Sequence, residues 1–169
     1  MFKKLAIPVA IVVLSLLVVA LPTCAPKKPP APTGEVLLTV KGNIEVSNVG
    51  DEYQFDLDML KKEGKDLQTN DPWLESEFTY TGLPLSQLVK MVKPGDGTTT
   101  LKFVAPDDYT VEVKIADCKG TDILLAYAAD GADLLPDLGG PLKLVFADSL
   151  SDIYPPESWG WMIVKVTVQ

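Results

Sequence analysis

The chain has 169 residues, a formal net charge of −8 and no histidine, and all fifteen of its cations are lysine. That length suits one domain with a proper core. Beyond residue 34, eleven lysines face 23 acids, a net of −12, which argues against a nucleic-acid or anionic-lipid docking face, because phosphate backbones are held by clustered cations. Without histidine the chain lacks the usual general base near neutral pH. Without arginine it lacks the planar fork that best grips phosphate.

Residues 1–23 form a signal peptide or membrane anchor: Lys3 and Lys4 precede a mostly apolar run from Leu5 to Pro22. That run is also just long enough to span a bilayer uncleaved. Leu21-Pro22-Thr23-Cys24 resembles a lipobox, which makes Cys24 a candidate lipidation site. The proline-rich stretch 24–35 reads as an extended spacer. Lipoprotein, uncleaved anchor and plain secretion stay open, and all three place the domain 36–169 outside the cytoplasm.

Val36–Val40 and Ile44–Ser47 are aliphatic and β-branched, with Lys41-Gly42-Asn43 as a turn between two expected strands. Asp56–Gly64 predicts a short helix with Asp56 as N-cap and Gly64 as a left-handed stop. Glu75–Thr81 alternates as a half-exposed strand does, Gly82 turns the chain, and Pro84 opens a helix whose Leu85, Leu88, Val89 and Val92 share one face. Thr99–Ala105 and Tyr109–Ile115 form a hairpin around Pro106-Asp107-Asp108. Ile123–Ala129 reads as a strand turning at Asp130-Gly131, and Leu142–Phe146 and Met162–Val168 are the last strands. The fold class is α+β: a mixed, β-rich domain with about eight short strands and two or three short helices.

Four stretches together resemble the molybdopterin-binding domain of the sulfite oxidase family. Thr79–Leu88 (TYTGLPLSQL) looks like its strand-to-helix segment, and Ala105–Tyr109 like its strand corner. Leu124–Leu135 with Gly140–Val145 looks like its "GGPLRLV" run, and Trp161–Val168 like its last strand. The resemblance implies that fold, an oxidoreductase class and a molybdopterin cofactor. It also implies a cysteine ligand upstream of Thr79, together with arginine and histidine on the cofactor's phosphate. No cysteine occurs from Ala25 to Asp117, and Lys143 stands where the arginine is expected. Cys118 and Lys143 are the remaining candidate cofactor contacts.

Elsewhere, Asp107, Asp108, Asp130, Asp133, Asp148 and Asp152 sit in or beside turns. They suit local hydrogen bonding there, although several converging would bind a hard cation. Tyr154, Trp159 and Trp161 lie in a proline-stiffened aromatic loop, which with the Asp107-Asp108-Tyr109 turn is the expected ligand or partner surface. The sequence therefore points to an extracytoplasmic protein, tethered to the membrane through its N-terminus. Its domain is expected to bind a small ligand or a membrane redox protein without catalysis, with no cofactor and no metal site. The alternatives are a molybdopterin-dependent oxidoreductase with atypical ligation and a docking subunit of a redox complex.

Overall fold

The computed structural model describes residues 28–169; the expected signal peptide or membrane anchor (1–23) and the candidate lipidation site Cys24 lie outside the described residues. Two five-stranded sheets share one hydrophobic core. The first runs in the order β2 (Tyr53–Phe55), β1 (Leu38–Gly42), β10 (Lys165–Val168), β5 (Thr100–Val104), β6 (Thr110–Lys114). All its pairs are antiparallel except β1 with β10. Its strands alternate as period-2 strands should: Leu38, Val40, Leu101, Phe103, Val111, Val113, Val166 and Val168 turn inward.

The second sheet is built on β3 (Lys65–Asp71), β4 (Ser76–Pro84) and β7 (Ile123–Ala129), with β8 (Ala132–Asp133) and β9 (Lys143–Phe146) both pairing with β7. β7 and β9 are buried along their whole length, which is why ILLAYAA and KLVF read as near-continuous apolar runs. Helix α1 (Leu57–Lys62) is capped by Asp56, whose side chain accepts from the Met59 N–H at 2.9 Å. The same carboxylate accepts from the backbone of Thr33 and Gly34 at 2.7 and 2.9 Å, pinning the end of the proline-rich stretch to the domain. Helix α2 (Leu85–Val92) turns Leu85, Leu88 and Val92 into the core.

Several sequence expectations need correction. Ile44–Ser47 is not a strand. Only Ile44 makes a bridge, to Pro94, and the antiparallel neighbour of β1 is β2. Gly82 does not turn the chain: β4 continues through it to Pro84, with a register shift between Thr81 and Gly82 opposite β7. Gly64 follows the C-cap Glu63 but does not take the positive φ of a left-handed stop; a Cβ there would collide with the Tyr127 hydroxyl. The last strand is shorter than expected, covering 165–168. β2, β3 and β8 have no counterpart among the expected strands; with Ile44–Ser47 lost and these three added, the strands number ten against the expected eight or so.

Candidate ligand-binding cleft

Three loops meet at one end of the two sheets. They are the β3–β4 turn carrying Trp73, the β5–β6 turn carrying Asp107 and Tyr109, and the long connection from β9 to β10. This last segment passes from one sheet to the other and carries Tyr154, Glu157, Trp159, Trp161 and Met162. Together these loops line a cleft of about 590 Å³ whose walls are Trp73, Ala105, Pro106, Asp107, Tyr109, Glu157, Trp159, Trp161 and Met162. That is the size range of small-molecule sites.

The aromatic loop is fastened from both sides. Trp73 donates its Nε1–H to the Pro156 carbonyl at 2.8 Å, and Tyr109 donates its hydroxyl to the Glu157 carbonyl at 2.6 Å. Both rings belong to the more exposed large hydrophobics of the described residues. Each is thus held by its polar tip while its face stays open. At the loop's end, Met162 donates its N–H to the Gly139 carbonyl (2.9 Å) and Ile163 to the Leu142 carbonyl (2.9 Å). Leu144 in turn donates to the Gly160 carbonyl at 2.8 Å. Met162 itself stands at φ 55 in the left-handed region, a strained position of the kind found in ligand sites. The Gly139-Gly140 corner is sterically required. A Cβ on Gly139 would press on Trp161 and Lys143 at 3.0 Å, and one on Gly140 would lie 1.9 Å from the Leu134 carbonyl oxygen.

Behind the cleft sits a fully buried ion pair, Lys143 with Asp71. Asp71 Oδ2 accepts from the Lys143 ammonium and, at 2.5 Å, from the Tyr80 hydroxyl. Its Oδ1 accepts from the N–H groups of Trp73 and Leu74 at 2.9 and 3.1 Å. Lys143 Nζ lies 3.3 Å from the Tyr80 oxygen and 4.8, 5.6 and 5.3 Å from the ring centroids of Trp161, Trp159 and Tyr80. Burial alone would push the Asp71 carboxyl up, but its bonds from Lys143 and Tyr80 and the ammonium charge together hold it below the usual carboxylate range. Burial lowers Lys143, with the Asp71 contact offsetting part of the effect. Burial and the Asp71 contact raise Tyr80.

The sequence candidates thus separate. Asp107, Tyr109, Trp159 and Trp161 share the cleft; Asp108 stands at φ 64 in the adjoining turn and does not line it. Tyr154 is buried, stacks on Phe146 with centroids 4.6 Å apart, and donates to Asp117 at 2.8 Å, so it supports the loop from beneath. Lys143 does not present its charge to the cleft, because Asp71 neutralises it behind Trp161. Cys118 lies past the far end of β6 and does not line the cleft. Burial and the nearby Asp117 push its thiol up to about 12. Asp148 fastens the β9–β10 connection to β3, accepting from Thr69 at 2.7 Å and from the Asn70 backbone at 3.0 Å. Among the described residues no three His, Cys, Asp or Glu side chains gather as a metal site. Asp71, Tyr80 and Glu157 were missed by the sequence reading. A lysine inside the apolar strand KLVF was the available signal, since a buried ammonium requires a counter-ion.

Two sheets joined by a long aromatic crossover, with a cleft of small-molecule size at their loop end, have the form of a ligand-binding domain. The chain belongs to the oxidoreductase molybdopterin binding domain family, whose model matches residues 45–165. Among solved structures it is similar to the sulfane dehydrogenase SoxCD from Paracoccus pantotrophus. The TM-score is 0.62 at 16% identity, over 78% of this chain and 37% of that one. The chain therefore spans well under half of that structure's length. No curated protein matches.

The cleft's residues do not fit molybdopterin as the family resemblance implies it should be held. Among the described residues no thiol lines the cleft, and Cys118 is buried elsewhere as a thiol rather than a thiolate. Among the described residues the charged ones of the wall are Asp107 and Glu157, which would repel a phosphate-bearing, anionic group.

Proposed function

We propose that the chain is an extracytoplasmic, membrane-tethered binding domain that uses this fold without molybdenum chemistry and takes a small ligand in the aromatic cleft. The observation that carries the reading is the cleft's lining: aromatic rings and two carboxylates, with the nearest ammonium turned inward onto Asp71. Such a wall offers apolar area and negative charge, and among the described residues it offers an anionic cofactor neither a thiolate nor a cation. The tether rests on the basic, apolar and proline-rich composition of residues 1–35.

The test is elemental analysis for molybdenum and tungsten, per mole of full-length chain purified from its native membrane. The expected result is a folded, metal-free protein whose tryptophan emission responds to small ligands. A near-stoichiometric metal content would overturn the reading and make the chain an oxidoreductase with unfamiliar ligation. In that event a Cys118→Ala variant that kept its metal would exclude the cysteine.

A further inference from the structure

Resting on that reading, we infer that the cleft's ligand is a small organic cation, of the quaternary or aromatic ammonium class. Four aromatic side chains, Trp73, Tyr109, Trp159 and Trp161, line a volume of about 590 Å³, and a cation is drawn to the face of such rings. The two charged side chains of the wall are both acidic, Asp107 and Glu157, and among the described residues no lysine lines it. Asp107 uses one oxygen to accept from the Tyr109 N–H at 3.0 Å, which leaves its other oxygen free for a ligand.

Three of the four rings are set before any ligand arrives. Trp73 and Tyr109 are each tied to the carbonyls of Pro156 and Glu157, and Trp159 is fixed by the rings of Tyr80 and Phe146 at 6.4 and 6.1 Å. Little ordering entropy is then lost on binding. The inner side of the same aromatic cluster already houses an ammonium, that of Lys143, 4.8 Å from the Trp161 centroid. Because Asp71 cancels that charge, a second cation on the cleft side meets no net repulsion from it. A neutral ligand would use the rings without the charge attraction of the carboxylates; an anion would be repelled by them.

The experiment titrates the full-length, metal-assayed protein with choline and benzyltrimethylammonium, following tryptophan emission, and with 3,3-dimethylbutan-1-ol as the neutral counterpart of choline. The cations should bind roughly tenfold or more tightly than the neutral alcohol. An Asp107→Asn/Glu157→Gln variant should remove most of that preference. Its asparagine can still accept from Tyr109, so the turn should persist. Trp73→Ala should weaken all the ligands. Equal affinity for choline and the alcohol, or no response to either cation, overturns the inference while leaving a metal-free binding domain in place. A sample that carries stoichiometric molybdenum or tungsten overturns the binding-domain reading itself, and this inference with it.

Discussion

Replacing Lys143 by methionine should destabilise the fold more than a loss of side-chain packing explains. Both charged groups are fully buried, and the substitution leaves the Asp71 carboxylate in the core without its cation. Breaking such a pair costs about 3–5 kcal/mol. Asp71 would still accept from the Tyr80 hydroxyl at 2.5 Å and from the N–H groups of Trp73 and Leu74 at 2.9 and 3.1 Å. Those three donors place the expected cost at the low end, about 3 kcal/mol. For a domain of this size that corresponds to a fall in Tm of roughly 10 °C.

The assay is thermal unfolding by circular dichroism near neutral pH, backed by urea titration, on Lys143→Met, Asp71→Asn and the double variant. In the double variant no charge is left buried, and the asparagine still offers an oxygen to the two backbone donors. It should therefore recover most of the loss rather than show the sum of the two singles. A Lys143→Met protein that melts within a couple of degrees of its parent, or a double variant whose cost equals that sum, would refute the coupling.

Other outcomes follow from the same geometry. Asp56, through N–H bonds from Gly34 and Met59, and Asp148, through its bond from Thr69, join Asp71 in being held below the ordinary carboxylate range. Groups depressed in the folded state contribute stability that is present above their unfolded value of about 4 and is lost as pH falls through their folded values. Acid melting should therefore begin below about pH 4, and Asp148→Asn should flatten that limb; a Tm indifferent to acid would contradict this. Cys118, with its thiol raised to about 12, should resist a disulfide reagent in the native protein and react once denaturant is added, so prompt native labelling would place it elsewhere. Gly82→Ala would set a Cβ 2.5 Å from the Leu125 carbonyl and 2.6 Å from the Ala126 Cα. It should cost about 1–3 kcal/mol by overpacking β4 against β7, and an unchanged urea midpoint would show that the strands can move apart.

The parts of the fold legible in the sequence are those where burial on one face imposes a period. YTVEVKI alternates because Val111 and Val113 face the core while Glu112 and Lys114 face water, and β6 was found. The Asp130-Gly131 turn was found because both residues take positive φ there. β3 is not legible because KDLQTND is mostly exposed, with Thr69 and Asp71 as its buried residues; Leu67 is the one apolar residue on that inward face, too little to mark an apolar alternation. Missing β3 meant missing Asp71, and with it the reason Lys143 can sit in an apolar strand. The aromatic loop was legible as a surface. That Trp73 and Tyr109, from two separate hairpins, fasten it could not be read, because those bonds join residues 83 and 48 positions apart.

The buried pair also bears on how one frame can serve different ligands. At the strand position where the resemblance implies an arginine directed at the cofactor, this chain places a lysine and supplies the counter-ion from within, on β3. A buried ion pair is seldom more stable than apolar residues of the same volume, so stability alone does not account for it. Its geometry suggests a different role. Asp71 bonds at once to Lys143 on β9, to Tyr80 on β4 and to the backbone of Trp73 at the cleft. The pair therefore fixes the relative position of three strands and of one cleft ring. An anion pocket in this frame needs its cation facing outward. Turning that cation inward onto Asp71 leaves the rings and the carboxylates of Asp107 and Glu157 to set the cleft's preference, and charge complementarity then favours a cation.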